Sequence, residues 1–412
     1  MSAARSVTAR RDATTRKAVA LFAPDLTDIS TIKRAQAFLD HGFELMVFGF
    51  RRARYNRDYT PSWPHVELGR TEDGRYWVRL YALAVAVRRV LAERHFLGRA
   101  SVNYARNVDQ LLLALMAGRL FRSKASIVYE VLDVQPTLLR RGLLGRALRL
   151  IERLCLAHVD LLVVSSPAFV LNYYEPVQRY RGKWYLLENK LYPPTLPIAT
   201  NSQATPTVSR NARSNGYKWV VGYFGLIRGR QTFDLMSRLA ERFRHEILFT
   251  IRGVFTTIER DAFLAMVQRN RNMVYDGDYV SPRDLERIYR DIDFAWAIDL
   301  ENVEHNSRWL LPCRFYEAGL FGVPCLAARE FEVGRLIDRL GVGWTFPAPL
   351  EVSLEAFFSS VTPAEHAEKR RKLADLPRST FIADQDMSWL CRLLETDRAM
   401  DGTELHALKN SR

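Results

Sequence analysis

Two runs of alternating strand and helix pattern, split by a polar break, constrain the fold of this chain more than any other feature. In the first run, Ala18–Phe22 is a short apolar stretch ending before Pro24, and Thr31–Asp40 has helical spacing with Asp28 or Ser30 ahead of it as a cap. His41-Gly42 stops that helix and Glu44–Gly49 is a second apolar stretch. Short buried strands alternating with amphipathic helices build a parallel sheet with helices packed on its faces. The pattern continues with helices at 77–96 and Val108–Leu120, and strands at Ala125–Val131, Asp160–Ser165 and Trp184–Leu187. Residues 193–216 interrupt it with Pro193-Pro194, Pro197 and a run of Asn, Ser, Gln and Thr, the composition of a linker. The alternation then restarts. Strands are expected at Trp219–Phe224, Ile247–Arg252, Met273–Tyr275 and Phe294–Ile298. Helices are expected at Gln231–Arg242, Ile258–Arg269, Pro282–Arg290 with Ser281 as cap, Val333–Leu340 and Leu354–Phe358.

The expected fold class is therefore α/β, two doubly wound Rossmann-like domains facing a cleft. A basic flexible tail covers 1–16, a first domain 17–193, a linker 194–216, a second domain 217–375, and a C-terminal helical segment 376–412. At 412 residues the chain is too long for one ordinary core. With 48% hydrophobic and 26% charged residues it has the composition of a folded protein, and no apolar run is long enough to span a bilayer. The first 16 residues lack the apolar segment of a secretory signal. Cys155, Cys313, Cys325 and Cys391 have no metal-ligand spacing, so zinc is not expected and the plain reading is buried reduced thiols in a cytoplasmic protein.

A net charge of +14 calls for an anionic partner: nucleic acid, anionic lipid or phosphorylated small molecules. No zinc finger, aromatic RNA motif or helix-turn-helix is present, so no nucleic-acid partner is expected. There is no Gly-x-Ser-x-Gly, no Gly-x-x-x-x-Gly-Lys-Ser/Thr and no Gly-x-Gly-x-x-Gly, which argues against hydrolase, NTPase and NAD-enzyme chemistry.

In doubly wound sheets ligands bind beyond the C-terminal ends of the strands. Gly222-Tyr223-Phe224-Gly225-Leu226-Ile227-Arg228-Gly229 covers such an end, and Ile251-Arg252-Gly253 repeats the pairing of Arg with Gly. Gly225 and Gly253 let the backbone approach a ligand, and Arg228 and Arg252 suit a diphosphate. Pro312 to Pro324 reads as a helix carrying Arg314 and one acid, Glu317, then a Gly-Val-Pro turn. A helix start favours phosphate, and a carboxylate one turn in can accept from two vicinal ribose hydroxyls. Arg314 could meet a phosphate or lay its stem on Phe315 and face water. In the first half Asp133 follows the strand Ile127–Val131, where it either works on an acceptor hydroxyl or caps a helix before Gln135-Pro136. Asp28 is a second cleft acid, better placed for capping.

The Pro312–Pro324 segment, with its acid ahead of a small residue and its Gly-x-Pro turn, resembles the donor site of GT-B glycosyltransferases of the family-four type, the bacterial exopolysaccharide and O-antigen kind. The Gly225–Arg228 loop resembles that family's basic glycine loop, and Gly277-Asp278-Tyr279-Val280 resembles the loop whose backbone reads the nucleotide base, through Tyr279 and Val280. The resemblance covers residues 217–330 best. It implies a retaining hexosyltransferase that uses a nucleotide-diphosphate sugar as substrate and has a last helix crossing back onto the first domain; no cofactor is expected, and no metal is needed if the arginines and the helix start neutralise the diphosphate. Arg106-Asn107, ahead of the helix Val108–Leu120, resembles a segment of bacterial polysaccharide glycosyltransferases, which implies a weaker substrate contact. One departure stands out: the family has a second acid eight positions earlier, and here that position is Trp309, a sugar platform or a core residue.

Residues Leu138–Leu154 place Leu139, Leu143, Ala147, Leu150, Ile151 and Leu154 on one helical face, with Arg141, Arg146, Arg149 and Arg153 on another. Such a face either packs on the sheet or lies on an anionic membrane surface. The function expected is sugar transfer from a nucleotide-diphosphate donor to a saccharide or polyprenyl-linked saccharide acceptor in polysaccharide assembly. It would act in the cytoplasm, peripheral on the inner face of the plasma membrane if the basic face docks there. The alternatives are a nucleotide-sugar epimerase on the same fold, or a non-catalytic membrane-associated assembly subunit.

Overall fold

The computed structural model describes residues 17–52, 59–70, 86–192 and 216–395. The expected tail 1–16, residues 194–215 of the expected linker and the first part of the helix expected at 77–96 lie outside them. The strands, in chain order, are β1 Ala18–Ala23, β2 Glu44–Arg51, β3 His65–Arg70, β4 Val102–Arg106, β5 Ser126–Val131, β6 Leu161–Val164, β7 Trp184–Leu186, β8 Trp219–Phe224, β9 Ile247–Arg252, β10 Met273–Tyr275, β11 Phe294–Trp296, β12 Cys325–Ala328 and β13 Trp344–Phe346. They form two sheets, ordered β3-β2-β1-β4-β5-β6-β7 and β10-β9-β8-β11-β12-β13. Strand pairs in both sheets are parallel. This is the doubly wound architecture expected from the alternation. In each sheet the order reverses beside its first strand, which creates a crevice at the strand C-termini.

The described helices used below are α1 Ile29–Asp40, α2 Val108–Leu120, α3 Pro136–Leu139, α4 Leu143–Leu156, α5 Arg230–Arg242, α6 Leu285–Arg290, α7 Asn306–Trp309, α8 Cys313–Leu320 and α9 Asp384–Glu395. Two compact units emerge. One holds the residues before Arg106 together with Asp109–Ile127, and so carries β1 to β4. The other holds Arg106–Val108 and Val128–Leu393, and so carries β6, β7 and the whole second sheet.

Central strands are buried on both faces: every residue of β1, β6, β8 and β12 is buried. Around the second sheet one core gathers Trp219, Tyr223, Phe233, Phe249, Phe294 and Trp296. Another gathers Phe224, Leu285, Tyr289, Phe315 and Tyr316. Helix α9 meets the end of β7. Tyr185 donates to the Asp386 carbonyl at 2.8 Å, and Lys190 Nζ lies 2.8 Å from the Asp386 carboxylate and 3.2 Å from Glu188.

Several local expectations change. Strands β3, β4 and β13 carry no clear signal in the sequence. The helix expected at Pro282–Arg290 starts at Leu285, and the carboxylate of Asp284, not Ser281, accepts from the Val280 N–H at 2.8 Å. Asp28 occupies the N-cap position of α1 without a side-chain cap bond; the Ser30 hydroxyl donates to its carboxylate instead. Cys313 is exposed at the first position of α8, while the other three cysteines are buried. The helix expected at Leu138–Leu154 is two, α3 and α4, with Gly142 at the N-cap of α4.

Helix α4 is held by an internal carboxylate. Glu152 is 0% exposed and accepts from Tyr129 at 3.1 Å, Tyr173 at 2.5 Å, Tyr174 at 3.3 Å and Gln178 Nε2 at 2.6 Å. Burial pushes its carboxyl up, and the phenol donors pull only part of the way back. The folded chain therefore binds this proton more readily than the unfolded one. Its share of stability is full below the ordinary 4.5 and is lost as pH rises through the raised folded value. Glu152→Ala leaves three phenols and an amide without their acceptor and is expected to lower unfolding free energy by roughly 3–5 kcal/mol in urea denaturation.

Candidate active site

The second sheet reverses its order between β8 and β11, so its ligand crevice lies where those two strands end. Strand β8 runs into Gly225, at φ 136°, and then Arg228. Strand β11 runs into Asp299. The two meet: Arg228 Nε and Nη2 donate to Asp299 Oδ2 at 3.0 and 2.7 Å, and Glu301 lies 3.4 Å from Nε. Asp299 Oδ1 is itself held by the Glu301 N–H at 3.0 Å. Asp299 thus takes one edge of the guanidinium and fixes its plane. The remaining nitrogen, Nη1, has no hydrogen-bond partner among the described residues. Burial raises the Asp299 carboxyl, but the Arg228 charge, the Glu301 N–H and Arg314 outweigh it and hold it below the usual carboxylate range. Burial likewise opposes the charge on Arg228, and Asp299 and then Asp133 restore it, so its pKa rises.

Asp133 belongs to the same cluster. It leaves the end of β5, and Asn306 of α7 reaches it with Nδ2 to Asp133 Oδ1 at 3.1 Å. The other end of that amide, Oδ1, accepts from the Val134 N–H at 3.3 Å. The N-cap of α3 is Gln135, so capping that helix is not the job of Asp133.

Beneath the β8 turn lies Arg314. Its Nη1 donates to the Trp296 carbonyl at 3.1 Å and its guanidinium carbon is 4.2 Å from the centre of the Tyr223 ring. A Cβ on Gly225 would stand 3.2 Å from Arg314 Nη2. The Arg314 guanidinium is therefore held by Tyr223 and Trp296 and places a cation against the Gly225 backbone. Burial opposes that charge, while Tyr223 and Asp299 favour it and raise the pKa overall.

One turn further along α8, Glu317 is 5% exposed and accepts from the Tyr289 hydroxyl at 3.0 Å. The Tyr289 ring stacks on Phe321 at 5.8 Å and meets Phe224 edge-on at 5.1 Å. Burial, then the Glu317 charge, push the phenols of Tyr279 and Tyr289 well up. Next to Glu317, Tyr316 donates to Glu188 at the end of β7, at 3.0 Å.

The ends of β8, β9 and β10 are stitched through glycine. Gly225 N–H donates to the Arg252 carbonyl at 3.1 Å and Gly253 N–H to the Gly277 carbonyl at 2.9 Å. Arg252 donates to Asp276 through its carbonyl at 3.0 Å and its carboxylate at 2.9 Å. In the loop after β10 the Tyr279 N–H bonds to Asp278 Oδ1 at 2.7 Å and the Val280 N–H is taken by Asp284. A base read here would use the carbonyls or side chains of that loop.

No family model matches the chain. The succinoglycan biosynthesis protein ExoL of Rhizobium meliloti (strain 1021) is 29% identical over 375 residues, 91% of this chain and 92% of ExoL. Among solved structures, the sucrose-phosphate synthase of Thermosynechococcus elongatus superposes with a TM-score of 0.70 at 13% identity, covering 92% of this chain and 98% of that one. Anabaena HepE in complex with UDP-glucose superposes with a TM-score of 0.65 at 13% identity, covering 92% and 99%. The chain has the GT-B glycosyltransferase fold.

Within this GT-B chain only some of the second-half residues singled out from sequence come together; Arg252 turns instead to Asp276 and the Val280 N–H to Asp284. Arg228, Arg314 and Glu317 are linked through Asp299, Tyr223 and Tyr289, with the Gly225 backbone against Arg314 and Gly253 against Gly225. Arg106 lies elsewhere: it is buried with its Nε 3.1 Å from Glu130, and Asn107 follows at φ 73° to lead into α2. Trp309 is part-buried in α7, its ring 5.8 Å from His305, and its carbonyl accepts from Ser166 at 2.5 Å. Sequence reasoning missed Asp299, Asn306 and Tyr289. Asp299 had one usable signal, its place directly after an apolar strand run.

Proposed function

We propose that this chain is a glycosyltransferase moving a sugar from a nucleotide-diphosphate donor to a saccharide or lipid-linked saccharide acceptor in polysaccharide assembly. The observation that carries the reading is the oriented Arg228 at the strand-order reversal, with Arg314 against Gly225 of the same turn and a buried acid one helical turn along. Nη1 of Arg228 and the start of α8 would meet the diphosphate, and Glu317 would take the ribose hydroxyls. Leaving-group charge is then stabilised by fixed cations rather than by water. ExoL, a succinoglycan biosynthesis protein, supports the pathway class, and HepE with bound UDP-glucose supports the donor class. The reading is metal-independent, cytoplasmic and retaining.

A thermal-shift series with UDP, GDP, dTDP and their sugars tests this. A donor present at a hundredfold its Kd adds about 2.7 kcal/mol of stability, a shift of a few degrees. Glu317→Ala is expected to abolish the shift; a shift that persists unchanged would place the donor elsewhere. A second reading, a non-catalytic assembly subunit, is favoured by Trp309 standing where the resembled family has its first acid. Saturable donor binding with neither transfer nor hydrolysis would establish that reading instead.

A further inference from the structure

Helix α4 packs the reverse of the usual way for a helix between parallel strands. Its buried residues are Gly145, Glu152, Cys155 and Leu156. Its leucine face points to solvent: Leu143 is 82% exposed, Leu154 62%, Leu150 55%, Leu144 50% and Ile151 38%. The cause is Glu152. A carboxylate gripped by Tyr129, Tyr173, Tyr174 and Gln178 fixes the rotation of the helix, and about 100° per residue then carries the leucines outward. Exposed apolar faces of this kind mark an interaction site.

Charge identifies the occupant. Glu152 is the one acid between Pro136 and Val159, and it is buried. Arg140, Arg141 and Arg146 are exposed, and among the described residues none of them is paired with a carboxylate. Arg149 and Arg153 donate to the Leu138, Arg140 and Val177 carbonyls, which keeps their charge at the flank of the leucine face. A second copy of the chain would bring these arginines against each other. An anionic bilayer takes both features, with leucines in the acyl boundary and arginines at the headgroups.

We propose that α4 is a membrane-docking helix, held leucine-side out by the Glu152 cluster and binding the surface of an anionic bilayer. The proposal goes beyond the donor reading above and stands or falls separately from it. The test is flotation of the full chain with vesicles of phosphatidylcholine alone or mixed equally with phosphatidylglycerol. Flotation is expected only with the anionic lipid at low salt. It should fade at 1 M salt, where the Debye length falls to about 3 Å. Leu150→Ser with Leu154→Ser should weaken partitioning by at least about 100-fold. Arg140→Ala, Arg141→Ala and Arg146→Ala together should weaken it roughly 100-fold. Both variants change exposed side chains, so they should melt with the wild type and keep its donor-induced thermal shift. Three results would overturn the proposal: no flotation of the wild type with anionic vesicles, equal flotation of the leucine variant, or a wild-type dimer in sedimentation that the leucine variant dissolves.

Discussion

Gly253→Ala is expected to lose at least about 4 kcal/mol of unfolding free energy and all measurable donor binding. Gly253 has φ 143°, and a Cβ there would stand 1.6 Å from the Gly225 carbonyl oxygen and 2.7 Å from its carbon. Both atoms are backbone, so no rotamer change relieves the clash. The ends of β8 and β9 would have to part, breaking the Gly225 N–H bond to the Arg252 carbonyl and moving the turn that lies over Arg314. Gly277→Ala is the control. It too has a positive φ, 76°, but nothing lies within 4 Å of its Cβ position. It should cost only the left-handed backbone penalty, about 1–2 kcal/mol. Urea denaturation of the two variants, with donor thermal shifts alongside, separates collision from conformational preference. Equal losses would mean that the close approach of the two strand ends is dispensable.

Why Gly225 and Gly253 could be picked from sequence while Asp299 and Asn306 could not follows from what each residue needs. A glycine at a strand end announces itself by lacking a side chain, and an Arg beside it by its charge. Asp299 and Asn306 matter only through residues 71 and 173 positions away in the chain, Arg228 and Asp133, and spacing carries no trace of that. Strands behaved similarly. Those buried on both faces, such as β1 and β8, read as unbroken apolar runs. Strand β4 is buried throughout yet contains Asn103 and Arg106, and its polarity is tolerated because Arg106 is paired with Glu130. Strand β3 lies at the sheet edge with only Leu68 fully buried, and β13 is three residues long. Helix α4 marks the sharpest limit. Its helical wheel correctly groups the leucines but cannot say which way they face. That was decided by Glu152 together with Tyr129 on β5 and Tyr173, Tyr174 and Gln178 beyond β6.

Asp133→Asn is expected to lower the turnover of the proposed transfer by about 10²–10⁴-fold while leaving the donor thermal shift in place. Asn306 Nδ2 donates to Asp133 Oδ1, and an amide oxygen at that position can accept the same bond, so the substitution removes charge and keeps geometry. Asn306→Ala does the opposite: it keeps the carboxylate and removes both its tether and the acceptor of the Val134 N–H. As a positioning residue Asn306 should cost about 10-fold in kcat, with the donor shift intact, and about 1–2 kcal/mol in stability. The two variants therefore divide the contribution of Asp133 into its charge and its placement. Arg228 sharpens the comparison, because the Asp133 charge is one of the two carboxylates that restore its pKa against burial. If Asp133 serves only to steady Arg228, Asp133→Asn should weaken donor binding and spare turnover at saturation. If it works on the acceptor hydroxyl, turnover falls and binding stays. The anomeric configuration of the product, read by proton NMR, then assigns the chemistry. Retention leaves Asp133 an orienting group, whereas inversion makes it the base.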